Sequence, residues 1–146
     1  MSEMDNFFTR QKANEGIKLP LVTPDGETTE HFIMIRGIDS DAFREAETEA
    51  RRSALQVAAI EDEVARNEAI TAEKLTLMTS LVLDWSFDQT CSPDYIRNFL
   101  REAPQIADQI DQLAAKRSLF FAKELSNSPP SRKRNSGSTR SRKAQQ

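Results

Sequence analysis

The sequence predicts a mainly α protein: an N-terminal β-hairpin, then a helical bundle of about four helices, then a disordered basic C-terminal tail. Three observations lead there. Two runs rich in β-branched and apolar residues flank a Pro24-Asp25-Gly26 turn. From residue 39 to 125, apolar residues recur at three–four spacing between helix-capping signals. The last twenty-one residues, Ser126–Gln146, hold no large apolar side chain. The implied division is an N-terminal segment with the hairpin (1–38), a helical domain (39–125) and the tail (126–146).

The elements follow in order. Residues 1–16 show no clear period, and Phe7 and Phe8 either stay loose or dock. Ile17–Val22 and Thr28–Arg36 form the hairpin, with Phe32, Met34 and Arg36 on one face and His31, Ile33 and Ile35 on the other. Two strands alone are marginal, so the hairpin must lean on the helices. Gly37 breaks the strand. Asp39 is the expected N-cap of a long helix, with Ile38 and Phe43 at staple spacing and Asp41 and Glu45 near the positive end of its dipole. Its apolar positions, Phe43, Ala46, Ala50, Val57, Ile60 and Val64, make a narrow seam suited to another helix, flanked by the i,i+4 pairs Glu47–Arg51 and Asp62–Arg66. If continuous to Asn67, this helix is about 45 Å long. That exceeds the need of a small bundle and points to a partner or to self-association.

Thr71, between Ile70 and Leu75, reads as the cap of a second helix, Ala72–Phe87. Leu75, Met78, Val82 and Trp85 would form its stripe, widened by Leu77 and Leu81. Ser92-Pro93, with Cys91 and Ile96 as the staple pair, opens a third helix, and Pro104 a fourth. Along the fourth run Ile106, Ile110, Leu113, Phe120 and Phe121, with Arg117 inside the stripe. An arginine there must snorkel to water or meet a carboxylate.

A chain of 146 residues has room for one domain of ordinary size. Hydrophobic content is 38% and charge 29%, so the core is modest. No apolar run approaches the ~18 residues of a membrane span. The acidic start, with no basic n-region, argues against secretion, and the single Cys91 excludes an internal disulfide, so an intracellular protein is expected with Cys91 as an apolar filler. The net charge of −3 hides a split. Six of the twenty basic residues and none of the twenty-three acids lie in the tail, leaving the body at −9. Such a tail is expected to be solvated with no fixed target; its Arg-Lys-Arg cluster also suits nucleic acid or an acidic surface, including the protein's own.

Catalytic signatures are missing. The one histidine, His31, has no second histidine or cysteine at ligand spacing, which disfavours a zinc site or a triad. Four glycines form no phosphate loop. Glu45, Glu47 and Glu49 read as a wet helix face, and Asp84 and Asp88, beside Trp85, as solvated or paired with Arg97 or Arg117. No cofactor, metal or catalytic residue is expected, only a small helical intracellular binding protein.

The order of motifs resembles the tail assembly chaperones of long-tailed bacteriophages. It comprises the Pro-Asp-Gly hairpin, Ile35–Arg44 (Ile-Arg-Gly-Ile-Asp-Ser-Asp-Ala-Phe-Arg), a Leu-rich stretch ending at Trp85, then Phe99-Leu100 and Pro104. An Ile-rich helix ending in Arg117-Ser118-Leu119-Phe120-Phe121 completes it. The resemblance covers roughly residues 17–125. It implies a non-enzymatic factor of the host cytoplasm, absent from the finished virion. Such a factor coats the tape measure protein, keeps it soluble and helps recruit the major tail tube protein. Implied contact residues are Trp85, Tyr95, Phe99, Ile110, Leu113, Arg117, Phe120 and Phe121, which a helical core would use equally. Two alternatives stand beside it: a nucleic-acid-binding adaptor using the tail, disfavoured by the acidic body, and a structural head–tail connector.

Overall fold

Gly26, at a positive φ of 92°, lets the turn after Pro24-Asp25 close, and its N–H donates to the Thr23 carbonyl at 2.8 Å. In the computed structural model, which describes residues 3–121, this turn joins β1 (Ile17–Val22) to β2 (Thr28–Ile35). The pairing is antiparallel, with Ile17 opposite Ile35, Leu19 opposite Ile33, and an irregularity between Pro20 and Val22. Ile33 and Ile35 are fully buried, whereas Phe32 and Met34, on the other face, are half-buried. The predicted tail and residues 122–125 lie outside the described residues.

A third strand departs from the sequence expectation. The chain from Ala72 to Phe87 is not one helix. Helix α3 spans Glu63–Thr79, so Thr71 is interior to it, and β3 (Val82–Trp85) pairs antiparallel with β2 in the order β1-β2-β3. Arg36 enforces the change. Its backbone N–H donates to the Leu81 carbonyl at 2.7 Å, and its guanidinium to the Ser80 and Val82 carbonyls, both at 3.0 Å. Those donors hold the carbonyl of the α3 C-cap, Ser80, and of the two residues after it, and the free edge of β2 takes up Leu81–Trp85. Val82 and Trp85 therefore face the core from a strand, not from a helical stripe.

The long helix also divides. Helix α2 runs Asp41–Ala58 and is capped by Ser40, not Asp39; the buried Ser40 hydroxyl accepts from the Phe43 N–H. Asp62 then caps α3 by accepting from the Ala65 N–H at 2.8 Å, and Arg66 donates to the Ile60 carbonyl at 2.9 Å rather than pairing with Asp62. These two residues turn the chain back. The 45 Å rod becomes an antiparallel helical hairpin, held at mid-length by Ser53 donating to Glu73 at 2.6 Å. Glu47–Arg51 pairs as expected at 3.4 Å.

Preceding the sheet are a 3₁₀ turn (Glu3–Phe7) and α1 (Arg10–Glu15). After it come α4 (Pro93–Glu102), capped by Ser92 with Pro93 at its first turn, and α5 (Pro104–Ala114), begun by Pro104. The last predicted helix breaks after Ala114 and resumes as α6 (Arg117–Phe121). One core unites these parts. Leu19, Leu21, Ile33, Ile35, Val82 and Trp85 from the sheet meet Ile96, Leu100, Ile106, Ile110 and Ala114 from α4 and α5, with Met78 from the end of α3 and Leu81 just after it. Cys91 is half-buried against this core as a small apolar filler, and burial pushes its thiol pKa up.

Candidate functional site

Helix α2 supplies no buried residue and α3 only Met78, so the α2–α3 hairpin extends as an arm from the edge of the core, which Phe43 and Leu75 touch and where α3 packs on α4. Its seam is alanine-rich because small side chains let the two backbones approach. Little bulk remains to cover the larger neighbours. Leu55 is 82% exposed, Val64 66% and Ile70 51%. On one side of the seam a groove of about 450 Å³ is lined by Ala50, Ala54, Val57, Ala58 and Ile70, between Arg66 and Glu73. The other side is wider and wetter, about 700 Å³, with Ala42, Ala46 and Ala50 beside Glu45, Glu49 and Glu73. A third trough, about 460 Å³, carries Val64, Ala72 and Leu75 along α3 with Arg97 and Arg101 at its edge. Apolar floors bordered by mixed charge run along the arm's whole length.

The residues implied as contacts divide into two groups. Ile110 is fully enclosed, and Phe120 and Trp85 are buried, so these three serve the core. Phe120 lies against Gly37, where a Cβ would stand 3.3 Å from its ring. Leu113 and Phe99 are half-buried, while Tyr95 (52% exposed) and Phe121 (40%) face solvent. Tyr95 and Phe99 come together with Trp85 and Phe87 in a cleft of about 320 Å³. Phe121 and Arg117 lie apart from it on α6. Phe7, Phe8 and Met4 are exposed.

Arg117 has found its carboxylate. Its Nε and Nη2 donate to the two Asp39 oxygens at 2.6 and 3.0 Å, and Arg44 adds a third bond at 3.0 Å. The Arg117 guanidinium, with help from Arg44 and against the opposing effect of burial, pulls the Asp39 pKa down to about 2. The pair ties α6 to the foot of the arm. Asp84 and Asp88 take no part in it, and Arg97 pairs with Asp94 at 3.4 Å. Among the described residues no group of three or more His, Cys, Asp or Glu is placed to hold a metal ion, and no helix is long and apolar enough to cross a membrane.

Sequence reasoning missed the arm's exposed residues. It placed Val64 in a seam and Ile70 in a staple, and it passed over Leu55. Leu55 lies off the α2 seam, and an unmatched leucine on a polar helix face was the available signal. Compared with protein-family models, with curated proteins and with solved structures, the chain finds no match.

Proposed function

We propose that this protein is a non-enzymatic chaperone of phage tail assembly: it covers the tape measure protein before the tube forms and gives it up to tube subunits. The observation that carries this reading is the arm, two packed helices on which Val64 and Ile70 remain uncovered along apolar grooves and Leu55 is exposed beside them on α2. A long amphipathic helical client aggregates through its apolar face. An arm of matching helical geometry shields that face by packing beside it, as helices pack on helices.

The magnitudes suit a reversible cover. Complete burial of one large aliphatic side chain contributes about 1.5–3 kcal/mol, and association itself costs several. Three partly exposed side chains therefore hold a client segment weakly, and tight coverage comes only from many copies along it. Tube subunits displace such a cover one segment at a time. The acidic body disfavours aggregation of the loaded complex. Action in the host cytoplasm and absence from the finished virion belong to the same proposal.

Co-expression tests it. Tape measure protein made alone should pellet, and made together with this chain it should stay soluble and co-purify. A client equally insoluble with and without the chain would overturn the proposal.

A further inference from the structure

Between the end of β3 and the first turns of α4, the aromatic cleft is lined by Trp85, Phe87, Gln89, Tyr95, Asn98 and Phe99, with Glu102 at its rim. Its rings are pre-set. Phe87 and Phe99 lie 5.3 Å apart, and Trp85 meets them edge-on at 5.3 and 5.9 Å. The Trp85 indole N–H is already committed to the Gln89 carbonyl at 2.7 Å, which locks the indole in place. Two donors on the cleft are uncommitted among the described residues: the Tyr95 hydroxyl and the Asn98 amide N–H. The neighbouring Asp94 side chain is 96% exposed and held only by a long 3.4 Å contact to Arg97. Glu102 makes only a long 3.7 Å contact to Arg101, so rigid flat rings, free donors and two loosely paired carboxylates fit a polyproline II segment followed by cations. Such a segment has no internal hydrogen bonds, so its carbonyls are open to donors while proline rings pack on aromatic faces.

The sequence offers one candidate for it. Of its six prolines, Pro20 lies in β1, Pro24 in the hairpin turn, and Pro93 and Pro104 at helix starts. The remaining two are adjacent, in Ser128-Pro129-Pro130-Ser131-Arg132-Lys133-Arg134, and the basic cluster follows them directly. Its charge is opposite to that of the body. Its reach is sufficient. The Phe120 ring lies beside Gly37, and β2 leads from there to His31, whose ring stacks on Phe87 at 4.7 Å. That path is about 20 Å at ~3.3 Å per residue. The eight residues from Phe121 to Pro129 span up to about 28 Å.

We propose that Ser128–Arg134 docks in the aromatic cleft of its own chain, with Pro129 and Pro130 against Tyr95, Phe99 and Trp85 and the basic cluster against Glu102 and Asp94. The cleft is then covered by the protein itself rather than offered to a client, and this holds whatever the client of the arm.

The test uses the full chain with Cys91→Ser and Asn135→Cys, a nitroxide on Cys at 135, and NMR detection. Trp85 is the sole tryptophan, so the single indole N–H signal reports the cleft. Broadening should concentrate on that signal and on the Tyr95 and Phe99 amides. It should fall several-fold on Pro129→Ala/Pro130→Ala and on Tyr95→Ala, an exposed position whose replacement leaves the fold intact. With Cys91 unchanged and no label, the same proline variants should shift Trp85 emission. Broadening centred on Glu45, Glu49 and Glu73 would overturn the proposal, since that is a purely electrostatic seat on the arm. So would broadening indifferent to the prolines, or broadening seen only between molecules in a mixed sample.

Discussion

Gly16 holds a close backbone approach where α1 hands the chain to β1. Its φ is +80°, and a Cβ built there would stand 2.6 Å from the Ile35 carbonyl oxygen. That oxygen belongs to a paired strand and cannot withdraw. Gly26 has a similar φ, +92°, but nothing lies within 4 Å of its missing Cβ. The two positions separate conformational strain from steric collision. Gly26→Ala should cost about 1 kcal/mol, from the positive φ alone, and Gly16→Ala about 3 kcal/mol or more, by denaturant unfolding. Equal costs would mean that the approach at Gly16 relaxes freely. Nothing in the sequence distinguishes these glycines, because the collision partner is nineteen residues away in the next strand. The N-cap of α2 shows the same limit. Asp39, Ser40 and Asp41 are all competent caps. Ser40 takes the role because Arg117 and Arg44 claim Asp39, while the Asn14 side chain accepts from the Asp41 N–H at 2.8 Å.

At the scale of elements, local signals were legible and long-range ones were not. The hairpin turn, the Ser92-Pro93 cap and the Pro104 start are written in residues a few positions apart, and all three stand. Leu81–Trp85 was misread because a short apolar run fits helix and strand alike, and the deciding partner, β2, lies some fifty residues upstream. The turn between α2 and α3 escaped for another reason. No glycine or proline marks it, and Asp62, the actual cap, also fits an i,i+4 pair with Arg66. The Asp39–Arg117 link between α6 and the arm's foot has a testable pH signature. Its folded pKa of about 2 lies below the ordinary 3.8, so the stabilisation is fully present above about pH 4 and is lost as pH falls through 2. Because the Arg117 side chain is 54% exposed, solvent screens the pair and its contribution is about 1 kcal/mol. Asp39→Asn should lower stability by that amount at neutral pH and flatten the loss between pH 4 and 2. An unchanged acid profile would show that other carboxylates control it.

Across the whole molecule, one core of sheet, α4 and α5 takes in Met78 from α3, with Phe43 and Leu75 packed against it, and leaves the outer face of the arm open. Apolar weight in the sequence predicted contact at Ile110, Phe120 and Trp85, and that weight was the core's own. The surface that remains open is lighter and dispersed: Leu55, Val64 and Ile70 on the arm. Mass of side chain reports burial, while a leucine without a seam reports an unmet face. Since Leu55, Val64 and Ile70 are exposed and lie outside the core, they can be replaced without unfolding the body. Leu55→Glu/Val64→Glu/Ile70→Glu is the most direct measurement of the chaperone account. The triple variant should melt within a few degrees of the parent and lose its ability to keep tape measure protein soluble. A variant that melts normally and still solubilises the client as well as the parent does would contradict it.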